Sequence, residues 1–233
     1  MYLVKILMAT FFMTNLAFSN SARVGNGGGG LFCSDNRNFL LDYYEAEFNG
    51  TYTFNNLSGM TKDEMRETFF KRVSHYNSSM SHLLKEIETF FWKNRKLVPN
   101  ANFKIPEDFR NIFYESNCKL KVVAVQRRPI LKSEKTFFIN KNLWLKMNEV
   151  SKQGLVFHEI LYFIAINLEI ENSRQVRQAL AYVMSDQFKY DEADFREKFF
   201  NKVTGGFFSR IEPFMSLLCP RMNRYGFNCN FIR

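Results

Sequence analysis

The 233-residue chain has few of the residues on which common chemistries depend. It holds four cysteines and three histidines, with no CxxC pair, so a knuckle-type metal site is excluded. No GxSxG turn is present, which removes the usual serine-hydrolase signature. No nucleotide, haem or flavin fingerprint occurs. The one glycine run, Asn26–Gly30, has no lysine and no strand-to-helix setting that could cradle a phosphate. Beyond the N-terminal stretch, no segment runs for about eighteen apolar residues without charge, so no transmembrane anchor is expected in the mature chain. Acidic residues are the minority, 23 against 32 Lys and Arg, for a formal charge of +9. That excess is scattered rather than interleaved with aromatics on strands, and no nucleic-acid partner is expected.

What is present begins with an export signal over residues 1–21. Lys5 supplies the positive start, Ile6–Phe18 the apolar stretch, and Ala17, Ser19 and Ser21 the small residues that place cleavage after Ser19 or Ser21. The mature protein is expected to be periplasmic or extracellular. Its basic balance suits contact with anionic envelope polymers or phospholipid head groups. An oxidising compartment favours disulfides. Cys219 and Cys229 flank the turn-forming Pro220 and Gly226, which leaves Cys33 to pair with Cys118.

Residues 22–33 read as a Gly-rich flexible segment and 34–233 as one globular domain. FLLDYYEAEF has helical spacing. Thr61-Lys-Asp-Glu64 is a capping box that opens a long helical stretch, which Asn77-Ser-Ser79 divides. Glu107–Phe113 reads as a short helix. Lys119–Gln126 and Thr136–Asn140 alternate and carry β-branched residues, as strands of an antiparallel pair joined through Arg127–Lys135. Helices are expected again at Lys141–Met147, Val150–Leu168, Ser173–Gln187 and Asp191–Val203. The fold class is α+β, a mostly helical single domain with a small antiparallel hairpin.

The segment Gly154–Glu171, GLVFHEILYFIAINLEIE, concentrates the chemistry. A helix apolar on every face is a buried helix, and burying His158 and Glu159 is costly unless both find partners. His-Glu is also the first half of HExxH, in which two His one turn apart bind zinc and the Glu activates water. Tyr162 stands where the second His belongs. The 28 residues KTFFINKNLWLKMNEVSKQGLVFHEILY resemble a degenerate zincin, a strand followed by the metal-binding helix. That resemblance implies zinc as the cofactor, His158 as a ligand and Glu159 as general base. His75 and His82, seven apart, are the other histidines that could converge there. Arg174 and Arg177 lie on one face of the next helix and are expected to reach back to Glu159, Glu169 or Glu171. This builds a buried network of His158, Glu159, Tyr162, Arg174 and Arg177.

From about Gly25 to Ser185 the chain also resembles a family of uncharacterised exported proteins of predatory bacteria. The shared pieces are NGGGG-x-x-C, LLDYYEAEF, C-K-L, L-W before the HE helix, and Asn172-Ser-Arg-x-Val-Arg177 followed by Ala-Tyr-Val-Met-Ser185. The resemblance implies export, paired cysteines and no established activity. A non-catalytic envelope or extracellular interaction role is expected. The alternative is a zinc-dependent hydrolase, a peptidase or cell-wall amidase.

Overall fold

The computed structural model describes residues 24–25, 27–109, 112–127, 134–168, 170 and 173–192, together with 196, 198 and 202. The expected signal segment, the Cys219–Cys229 bridge, Glu169, Glu171 and nearly all of the helix expected over Asp191–Val203 lie outside them. The chain is α+β: helices surround a small antiparallel sheet and a second, mixed sheet.

The glycine run is not a flexible spacer, and this is the main correction to the sequence reading. Gly29–Cys33 is strand β2, buried at nearly every position and central in a three-stranded sheet. It pairs antiparallel with β3 (Asn38–Leu40) on one side and β5 (Cys118–Val122) on the other. Glycine suits a strand where other groups approach closely. A Cβ on Gly27 would fall 1.7 Å from the Ala124 carbonyl oxygen, and one on Gly28 would fall 2.1 Å from a Leu155 methyl. At Gly27 the obstacle is backbone, and at Gly28 it is the end of a side chain that would have to move.

The strand expected over Lys119–Gln126 is divided. β5 belongs to the first sheet, and after Val123 the chain enters β6 (Ala124–Arg127) in the second. The division follows from Gly28, whose carbonyl oxygen accepts from the N–H groups of both Val123 and Ala124, at 2.9 and 3.2 Å. In the four-stranded sheet the order is β1-β6-β7-β4, with β1 at Val24–Gly25, β4 at Arg95–Val98 and β7 at Phe137–Asn140. β6 and β7 form the expected antiparallel pair, while β4 adds in parallel to β7.

The helices follow local signals. α1 (Leu41–Phe48) leaves β3 directly. Thr61 and Glu64 form the capping box of α2 (Lys62–Tyr76), and Asn77 ends α2 and caps α3 (Ser78–Asn94) by accepting from the Met80 N–H. Asn140 caps α4 (Lys141–Lys146), Asn148 caps α5 (Glu149–Asn167), and α6 is Arg174–Met184. Of the helix expected over Glu107–Phe113, the described residues contain a 3-10 turn at Glu107–Phe109.

α5 is the centre of the molecule. Every residue from Leu155 to Ala165 is buried, against α2, α3, α6, β3 and β6. Phe157 stacks on Phe69 of α2 with ring centroids 4.1 Å apart. Each such fully buried aromatic contributes on the order of 1.5–3 kcal/mol relative to exposure. A smaller core under β2 and β5 gathers Leu31, Leu41, Tyr44, Phe109 and Leu120. It is stapled by the Cys33–Cys118 disulfide across facing positions of the two strands. Among the described residues no helix is long and apolar enough to cross a membrane.

Candidate functional site

A 3.6-residue repeat points neighbouring side chains about 100° apart. His158 and Glu159 therefore leave α5 in different directions, and each meets a different set of partners.

Glu159 faces the glycine strand. Its Oε1 accepts from the Gly28 N–H at 2.6 Å, and its Oε2 accepts from Nε2 of Gln126 at 2.8 Å. The same Gln126 nitrogen donates to the Glu159 backbone oxygen at 2.7 Å. The carboxyl group thus ties α5 to both sheets: Gly28 enters β2, and Gln126 lies on β6. Glycine at 28 is part of the site, because a Cβ there would sit 3.0 Å from Glu159 Oε1 and 3.4 Å from the His158 ring. Burial raises the Glu159 pKa, and this outweighs the opposing pull of His158 and the two hydrogen bonds.

His158 faces α1. Its Nδ1 lies 2.7 Å from Oδ2 of Asp42, and both side chains are completely buried. Asp42 sits in the first turn of α1, where the helix dipole favours a carboxylate. Burial disfavours the imidazolium, but the Asp42 charge, its hydrogen bond and the nearby Glu159 prevail, so the His158 pKa is raised. Two atoms of this pair, His158 Nε2 and Asp42 Oδ1, have no hydrogen-bond partner among the described residues.

Of the expected network, His158, Glu159 and Tyr162 are all buried on α5, where the ring of His158 contacts that of Tyr162. Tyr162 is fully buried one turn along α5, its ring 5.9 Å from that of His158. The arginines do not join them. Arg177 is buried, but its guanidinium donates to Glu45 at 2.8 Å, to Asp108 at 3.2 Å and to the Ser173 hydroxyl at 2.8 Å. Its ion pairs are with Glu45 of α1 and Asp108 rather than with Glu159. Arg174 is exposed. His75 and His82 are exposed on α2 and α3, whereas His158 lies inside the core, so the three histidines do not converge.

Zinc finds little to hold it. His158 Nε2 is a suitable donor, with Asp42 placed as the orienting carboxylate found behind many metal-bound imidazoles. Both Glu159 oxygens are already engaged, however. Among the described residues no three His, Cys, Asp or Glu side chains are grouped to bind a metal ion. The residues do not fit a zinc site.

Sequence reasoning missed Asp42, Gln126 and Gly28. The signals were a lone carboxylate in the apolar run FLLDYY, a Gln ending the alternating strand KLKVVAVQ, and a glycine run read as a flexible segment. Compared with protein-family models, curated proteins and solved structures, the chain matches none.

Proposed function

We propose that this is an exported, disulfide-stapled protein that acts by binding through its surface, and that His158–Glu159 fixes the fold rather than performing a reaction. The observation carrying this reading is that both carboxyl oxygens of the buried Glu159 are held by internal donors. A general base needs a lone pair aimed at water or substrate, and here each carboxyl oxygen accepts from an internal donor in a site with no exposure. The basic excess makes anionic envelope polymers or phospholipid head groups the expected contact.

The second reading, a zinc-dependent hydrolase with Glu159 as base, draws on one feature. Asp42 holds the His158 ring by Nδ1 and leaves Nε2 without a partner, the tautomer a metal ligand requires. Metal analysis of the purified protein, run beside peptide and murein hydrolysis assays, decides between them. The expected result is no stoichiometric zinc and no hydrolysis that Glu159→Gln abolishes. Copurifying zinc, with hydrolysis lost in a folded, zinc-loaded Glu159→Gln variant, establishes the enzyme instead.

A further inference from the structure

α1 and α6 face each other without closing. On α1 and its C-cap, Asp42, Glu45, Ala46 and Asn49 share one face, and on α6 so do Arg174, Arg177, Gln178 and Ala181, both at i, i+3, i+4, i+7 spacing. Packed helices ordinarily fill such positions with large apolar side chains. Here the only apolar members are two alanines. The stripes line a cavity of about 220 Å³, with Thr51 and Tyr52 at its edge.

The charges in the cavity are sorted by wall. α1 contributes the carboxylates and α6 the guanidiniums. Asp42 is held through Oδ2 by His158, so its side chain is fixed, and its buried Oδ1 has no hydrogen-bond partner. The Asp42 side chain has no accessible surface and acts on the cavity as a fixed buried charge, while Glu45, its side chain 23% exposed, is the carboxylate that a ligand can touch. Arg174 stands exposed on the opposite wall, while the buried Arg177 is committed to Glu45, Asp108 and Ser173. An anion alone would meet Asp42 and Glu45, and a cation alone would meet the two arginines. A molecule with both charges satisfies both walls. The volume falls below the roughly 300–1,000 Å³ of pockets for drug-sized ligands, which limits the occupant to something small.

We propose that the α1–α6 cavity binds a small zwitterion of the α-amino-acid class, with its ammonium on Glu45 in front of the buried Asp42 charge, its carboxylate on Arg174, and its side chain toward Tyr52. The site goes beyond the surface-binding reading and does not depend on it, because no charged group offered to the ligand is Glu159 or His158. His158 serves only to hold Asp42 in place.

Calorimetric titration of the whole mature chain with the twenty free amino acids tests this, alongside alkylamines and carboxylic acids that each lack one charge. At least one amino acid is expected to bind one to one, with the single-charge analogues at least about tenfold weaker. Arg174→Glu should weaken binding by at least about tenfold at an unchanged melting temperature, because the side chain is exposed, and Arg174→Lys should restore most of it. Absence of binding by every amino acid overturns the proposal. So does an Arg174→Glu variant that binds as tightly as wild type, or a single-charge analogue that binds as well as the zwitterion.

Discussion

Glu159 and His158 are adjacent in sequence and answer to different parts of the molecule. Gly28→Ala should destabilise the protein by about 1–3 kcal/mol in urea unfolding, since the new methyl collides with Leu155 and crowds Glu159. Asp42→Asn should give a pH-dependent loss. The folded-state His158 pKa is raised, so its contribution is fully present below the unfolded value near 6.5 and is lost as pH rises through the folded value. Melting temperatures from pH 5 to 9 should therefore show the widest gap between wild type and Asp42→Asn at the acid end, narrowing above pH 6.5. A gap that widens with pH contradicts the buried pair. Half of this site was legible in the sequence. A His and a Glu inside a greasy helix announce that partners exist, but the partners lie 116, 131 and 33 residues away in the chain. No local periodicity reports on contacts of that range.

At the scale of elements, the signals that read correctly were those enclosed within a few residues. The Thr61–Glu64 box and the break at Asn77 are local hydrogen-bond solutions, and the structure uses both. Asn77→Ala removes the acceptor for the Met80 N–H and should cost about 1 kcal/mol, measured by chemical unfolding. The glycine strand failed to read because glycine's ordinary meaning is conformational freedom. Its use here is to bring backbone against Ala124, Leu155 and Glu159. β4 went unread for a related reason: Arg95–Val98 is only four residues long and takes its strand conformation from parallel pairing with β7. The division of Lys119–Gln126 into two strands also depends on a distant group, the Gly28 carbonyl.

Across the whole molecule, the Cys33–Cys118 bridge, the Gly28–Glu159 hydrogen bond and the Asp42–His158 pair join the β2–β5 ladder in tying the N-terminal segment to the rest. The disulfide spans 85 residues, and loop-closure entropy assigns it about 4–5 kcal/mol. A Cys33→Ser, Cys118→Ser variant should lose stability on that scale in urea, and a variant as stable as wild type would show that β2 and β5 need no staple. The central claim, that Glu159 holds the fold together, is tested most directly by the unfolding free energy of Glu159→Ala at pH 7. Removing the carboxylate strands the Gly28 N–H in a dry interior, so a loss of at least about 1–3 kcal/mol is expected. Catalytic groups commonly trade stability for activity. A Glu159→Ala protein equal to or more stable than wild type would contradict the structural role and mark Glu159 as a residue kept for chemistry.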